Sequence, residues 1–158
     1  MIQATARVLK NIIEVQVGEE TWVGRPSAAG QAGLGRRLAA LFSTDYVTVR
    51  PAAPNEIYSS VTYHAKSDEI RIRVGEESWR TQSTTFGPMT LEYGGVKLTI
   101  NERLTGKFAI LRGTEPVGLG QLGFRSCVLR EYPADLETLF ANLALGYVIR
   151  TLTWEMFG

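Results

Sequence analysis

Two hydrophobic rhythms divide the chain. Up to about residue 131 apolar and polar residues tend to alternate, and beyond Pro133 apolar residues follow one another with little interruption. In Ile13-Glu-Val-Gln-Val17 and Ile70-Arg-Ile-Arg-Val74 every second residue is aliphatic. That is the period of a strand with one face buried and one in water. The same pattern, cut by turn residues, predicts twelve strands: 2–9, 12–17, 21–23, 46–50, 57–64, 70–74, one opening at Trp79, 89–93, 96–100, 106–112, 117–122 and 124–131. Lys10-Asn11, Gly18-Glu19-Glu20, Lys66-Ser67-Asp68 and Gly113-Thr-Glu-Pro116 read as turns, and Gly94-Gly95 is the strongest hairpin signal. Residues 24–35, rich in Gly, Ala, Ser and Gln, read as a loop leading into a short amphipathic helix at 34–42.

The last stretch is different. Leu136, Leu139, Phe140, Leu143, Leu145, Tyr147, Val148, Ile149, Leu152 and Trp154 leave a helix no polar face. A helix apolar all round is buried in protein or in lipid. Pro133 suits its start, and Asp135 and Glu137 complement the positive end of its dipole. Glu137, Asn142, Arg150 and Glu155 interrupt it, and a charge at a membrane centre costs about 2.5–3.5 kcal/mol. Residues 139–149 alone are free of charge, too few to cross a bilayer. The prediction is a mostly β single domain, 1–158: a closed antiparallel barrel of about twelve strands around a hydrophobic C-terminal helix, plus one short amphipathic helix.

Ten residues repeat. Ile70-Arg-Ile-Arg-Val-Gly-Glu-Glu-Ser-Trp79 matches Ile13-Glu-Val-Gln-Val-Gly-Glu-Glu-Thr-Trp22 at six of ten positions, 57 residues earlier. The plain reading is a duplicated hairpin whose glycine takes a positive φ and whose glutamates solvate the loop; the functional one is a duplicated binding loop.

Composition excludes several classes of chemistry. Seventeen basic and 16 acidic residues leave a net charge of +1, which gives no electrostatic case for nucleic acid. One cysteine, Cys127, permits no intrachain disulfide, and with one histidine, His64, it cannot supply a Cys/His zinc set. No metal or cofactor is implied. Gly118-Leu-Gly120-Gln-Leu-Gly123 spells a dinucleotide fingerprint, but strand follows it where a helix should begin. Those glycines are expected to permit a bend, a bulge or close approach of the helix. Cys127 sits in an apolar strand, where a thiol acts as a small hydrophobe, and no residue is nominated as catalytic. Asp68-Glu69, Glu19-Glu20 and Glu76-Glu77 read as solvated turns. Arg36 and Arg37, with Arg25, form the candidate binding set, placed beside an amphipathic helix where they would meet an anionic headgroup. Without a secretory leader at residues 1–10, the expected location is cytoplasmic, at most peripheral to a membrane.

The hairpin series 89–122, the strand 124–132 and the run Leu136-Glu-Thr-Leu-Phe-Ala-Asn-Leu-Ala-Leu-Gly-Tyr-Val-Ile-Arg-Thr-Leu-Thr-Trp-Glu155 together resemble the tubby C-terminal-like fold. Gly106-Lys-Phe-Ala-Ile-Leu-Arg-Gly-Thr-Glu-Pro-Val-Gly118 is similar to strand–turn units of its LURP-one-related members. The resemblance implies a closed barrel of about twelve strands around a hydrophobic helix. Tubby proteins bind phosphoinositides through basic residues, and phospholipid scramblases also belong to the group. The acidic calcium loop and the cysteine cluster for acylation that scramblase-like chemistry would use are missing from this sequence. The expected function is a non-enzymatic binding or interaction module, its partner an anionic phospholipid headgroup or a protein. The alternatives are a barrel carrier of a small apolar ligand, which would need the helix outside the barrel, and a small-molecule enzyme of unspecified reaction.

Overall fold

The computed structural model describes residues 1–27, 45–83, 88–93 and 95–157. The predicted helix at 34–42, with Arg36 and Arg37, lies outside them. Twelve strands follow in order: β1 (Ile2–Arg7), β2 (Ile12–Val17), β3 (Glu20–Pro26), β4 (Asp45–Val49), β5 (Ser59–His64), β6 (Glu69–Val74), β7 (Glu77–Gln82), β8 (Met89–Tyr93), β9 (Val96–Glu102), β10 (Lys107–Arg112), β11 (Glu115–Gly123) and β12 (Ser126–Glu131). Each pairs antiparallel with its sequence neighbours, and β1 pairs with β12, so the sheet closes and leaves no open edge. A 3₁₀ turn, Ala134–Leu136, leads into helix α1, Glu137–Phe157.

The helix lies inside the barrel. Every residue from Leu139 to Arg150 is buried, and α1 packs against β1, β2, β5, β6 and β12. The inward residues of the strands, among them Ile2, Ile13, Val61, Ile70, Leu98, Ile110 and Leu129, are fully enclosed against it. The alternating pattern therefore has a direct cause, since one face of every strand meets the helix and the other meets water. Wherever the strands touch α1, the helix must be apolar, which is why it lacks a polar face.

Close packing explains two glycine positions. A Cβ at Gly118 in β11 would lie 2.9 Å from Cε2 of Phe140 on the helix. The fingerprint-like Gly118–Gly123 run is thus a strand beside the central helix, with its register shifting between Leu119 and Gly120. Within α1, a Cβ at Gly146 would lie 2.5 Å from Ile70 Cγ2 and 3.3 Å from Val61 Cγ1. Alanine normally improves a helix over glycine by about 1 kcal/mol. Here Gly146→Ala is expected to destabilise by about 1–3 kcal/mol through overpacking, read as a lower denaturation midpoint at unchanged m-value.

Some predicted boundaries shift. The strand predicted over 2–9 ends at Arg7, and Val8–Lys10 forms a 3₁₀ turn closed by Asn11 in the left-handed region, φ 54°. Gly24, Arg25 and Pro26, predicted as loop, belong to β3, where Gly24 packs against Leu145 of the helix. Phe124 lies in the turn between β11 and β12 rather than in a strand. In each case local composition competes with the barrel: a small residue can serve a strand that touches the helix, and an apolar residue past the barrel's end has no core to face.

Candidate functional site

Among the described residues α1 fills the barrel, which directs attention to the two ends. The ends of β1, β5, β9 and β11 and the turns that follow them lie at the rim where α1 ends, and the turns after β2, β6 and β10 lie at the rim where it begins.

At the helix-end rim the interior is closed by Arg150. Its Nε and Nη2 donate to Asp68 Oδ1 at 2.8 Å and Oδ2 at 3.1 Å, and its Nη1 donates to Glu102 Oε1 at 2.9 Å. The guanidinium stacks 3.9 Å from the Trp154 ring centroid. Tyr63 Oη donates to Asp68 Oδ1 at 2.7 Å and accepts the Trp154 indole N–H at 2.9 Å. Asp68 sits in the β5–β6 turn in the left-handed region, φ 49°, and its carboxylate meets Arg150 of the helix. Burial alone would raise the Asp68 pKa, but hydrogen bonds from Arg150, Tyr63 and Ser83 outweigh it and hold the carboxyl below its ordinary value. Burial, and then the Asp68 contact, push the Tyr63 hydroxyl up to about 12, so it remains a donor at neutral pH. One guanidinium thus joins two carboxylates, Asp68 and Glu102, across the barrel mouth.

The outside of the same rim carries exposed apolar side chains. Leu9 and Phe124 are 103% and 79% exposed, and together with Val8 they border a groove of about 390 Å³. Arg7, Lys10 and Arg125 also line it, and no acidic residue does. Arg125, in the left-handed region at φ 52°, stacks 4.7 Å over the Phe124 ring and pairs with Glu155 of the helix at 3.0 Å. Arg7 pairs with Glu14 at 3.1 Å. The Ala6 N–H donates to Arg125 O at 2.9 Å and the Leu122 N–H to Gly106 O at 2.8 Å, which ties the β1, β11 and β9–β10 turns side by side. The β9–β10 turn adds Leu104, fully exposed between Arg103 and Lys107.

The helix-start rim is held by polar contacts. Asn142, buried on α1, accepts from Ser59 Oγ at 2.7 Å and donates to Thr138 O at 2.8 Å. Beside it Arg50 lies 4.7 Å over the Tyr58 ring and 5.6 Å from that of Trp22, and reaches Glu20 Oε2 at 3.2 Å. The Trp22 indole also donates to Glu20, at 3.0 Å; that bond first, then Arg50, lowers the Glu20 pKa.

Of the candidate binding arginines, only Arg25 is among the described residues. It is exposed on β3 opposite Val47 of β4, and it does not line the groove of Arg7, Lys10 and Arg125. Cys127 faces the core between Ala4 and Leu122, and burial raises its pKa well above that of a free thiol. His64 stands on β5, which is not adjacent to β12, so the two form no pair along the sheet. Among the described residues no group of His, Cys, Asp or Glu side chains is arranged to hold a metal ion. Nor is any described helix long and apolar enough to cross a membrane. Strand alternation does not reveal the Val8–Lys10 and Phe124–Arg125 set, because apolar residues at a strand end look like its continuation. The signal that was legible is the Asn11 turn, which leaves Leu9 no strand partner.

The fold defines a class: a closed twelve-stranded antiparallel barrel filled by its C-terminal helix. No family model, curated protein or solved structure matches the chain.

Proposed function

We propose that the protein is a non-enzymatic binding module that docks its helix-end rim on anionic phospholipid surfaces. One observation carries this reading: Leu9, Phe124 and Val8 are exposed around a groove whose charged lining, Arg7, Lys10 and Arg125, is wholly cationic. Exposed apolar side chains set among cations suit the boundary between acyl chains and anionic headgroups. Leu104, with Arg103 and Lys107, extends the same rim. The attraction is local, since the net charge of the whole chain is only +1, and it falls mainly to Lys10, Arg103 and Lys107 because Arg7 and Arg125 are paired with Glu14 and Glu155. A tubby-like or LURP-one-like relationship accords with this reading, although the support comes from the rim, because a fold does not carry function by itself. The filled lumen speaks against a carrier of apolar ligands, which needs the space that α1 occupies.

The test is vesicle co-sedimentation with phosphatidylcholine alone and with added phosphatidylserine. Binding is expected only to the anionic vesicles, weakening as salt shortens the Debye length from about 10 Å at 0.1 M. Leu9→Ser with Phe124→Ser removes two insertable side chains, each worth about 1.5–3 kcal/mol when fully buried, and should cut partitioning at least about tenfold. Equal binding by this variant, or no binding by the parent protein, overturns the reading.

A further inference from the structure

We propose that the outer wall of the barrel at β6 and β7 binds a phosphorylated protein segment, its phosphate held by Arg73 and Arg80 with Arg71 beside them. The site lies on the side of the barrel, away from the lipid-docking groove, and does not rest on that reading.

The ten-residue repeat supplies a control within the molecule. Both copies fold as the same hairpin, with Gly18 and Gly75 each at φ 60° and Trp22 and Trp79 each buried. Only two of the ten positions differ by more than a conservative exchange: Glu14 becomes Arg71, and Gln16 becomes Arg73. Both positions face outward, as does the residue after each tryptophan, Val23 in the first copy and Arg80 in the second. In the first copy the outward polar groups have partners, since Glu14 pairs with Arg7 at 3.1 Å and Gln16 accepts from Thr21 at 2.7 Å. The hairpin therefore folds without any arginine on its outer face.

In the second copy the arginines crowd together. Arg71 stands directly opposite Arg80 in the β6–β7 register, which places their Cβ atoms about 4.5–5.5 Å apart, and like charges so placed destabilise a sheet. Glu69 takes Arg71 at 2.8 Å, but among the described residues neither Arg73 nor Arg80 is in an ion pair. Glu92, opposite Arg80, lies 3.9 Å from Lys97 instead, and Asp45 accepts from Thr62. Ser60 and Ser78 flank Arg73 on the neighbouring strands and add hydroxyl donors. A phosphorylated side chain brings a charge of about −1.5 to −2 and three acceptor oxygens, which two guanidinium forks bind better than a carboxylate allows. No large apolar side chain of β5, β6 or β7 is exposed, so this wall offers a bilayer nothing to insert. Being the outside of a barrel, it is also convex and cannot enclose a free anion, so further contacts come from a chain laid over it. Along the same row Ser60 is opposite Val47 and Val47 opposite Arg25, and a chain crossing the strands from Arg73 meets that exposed cation next.

The test follows the backbone amide shifts of Ser60, Arg73, Ser78 and Arg80 during titration with acetyl-Ala-phosphoserine-Ala-Ala-Glu-amide. Versions with serine or glutamate in place of phosphoserine, and inorganic phosphate, are titrated in parallel. The phosphopeptide is expected to shift these signals saturably, at least about tenfold more tightly than the glutamate peptide or inorganic phosphate, and the serine peptide not at all. Its binding should weaken below about pH 6, where the phosphate takes up its second proton. Arg73→Gln with Arg80→Val installs the residues that the first copy carries, so the fold, checked by near-UV circular dichroism, is expected to persist. That variant should bind the phosphopeptide at least about tenfold more weakly, as expected for lost hydrogen bonds between charged groups, and should sediment with anionic vesicles as the parent does. Equal affinity for the glutamate peptide, no saturable shift from the phosphopeptide, or unaltered affinity in the variant would overturn the proposal. Equal affinity for inorganic phosphate would overturn the protein segment as partner, and loss of vesicle binding by the variant would assign this wall to the membrane instead.

Discussion

A chain that stops at Tyr132 is expected to lose its fold rather than to form a hollow barrel. Without α1, the inner faces of the strands, including Ile2, Ile13, Val61, Ile70, Leu98 and Leu129, face a void. The helix itself contributes Phe140, Leu143, Leu145, Tyr147, Val148 and Ile149, all with at most 1% exposure. Each such side chain contributes about 1.5–3 kcal/mol on full burial, and six of them match the entire stability of an ordinary domain, about 5–15 kcal/mol. The truncated chain should be insoluble, or soluble with no near-UV circular dichroism and no cooperative thermal transition. A soluble truncation that melts cooperatively would show that the barrel closes without the helix, which is the arrangement an apolar-ligand carrier requires.

The second large effect is expected at Arg150. Arg150→Met leaves Asp68 and Glu102 facing each other at the barrel mouth without the guanidinium that joins them. Removing one partner of a buried pair costs about 3–5 kcal/mol. The Asp68 and Glu102 side chains keep 32% and 30% exposure, so water offsets part of that loss and about 2–4 kcal/mol is expected. Adding Glu102→Gln should recover part of it, which a double-mutant cycle in urea would measure.

The same cluster sets an acid limb. The folded-state pKa of Asp68 is depressed, so its stabilisation is fully present above the unfolded carboxylate value of about 3.9 and is lost as pH falls through the lower folded value. The parent protein should therefore lose stability below about pH 4, and Arg150→Met should lose less over that range. Urea midpoints followed from neutral pH down to about pH 3 would show this; parallel acid limbs in the two proteins would remove Arg150 as the source of the shift.

Much of the architecture was readable from pattern because a filled barrel imposes pattern everywhere. Strands such as Ile12–Val17 and Glu69–Val74 alternate since each has one face on α1 and one in water. The helix reads as apolar all round because strands enclose it on every side. The turn glycines Gly18 and Gly75 were legible for a local reason: their positive φ suits a residue without a Cβ.

The sites were far less legible. Arg150 reads as a charge interrupting a hydrophobic helix, and Asp68 and Glu102 as ordinary polar residues of a turn and a strand. They meet across 82 and 48 residues of sequence, a proximity that only closure of the sheet around the helix creates. Phe124 and Leu9 look like strand residues until the barrel ends before them. The repeat was visible, but not that its first copy would hold an arginine, because Arg50 and Tyr58 come from the β4–β5 connection, outside both copies. The sequence by itself determined the number of strands, the burial of the last helix and the positive φ of Gly18 and Gly75, since these depend on periodicity and local backbone preference. Tertiary structure alone decided which charges are matched, which apolar residues remain in water and which rim is open, because each depends on residues far apart in the chain meeting at one end of the barrel.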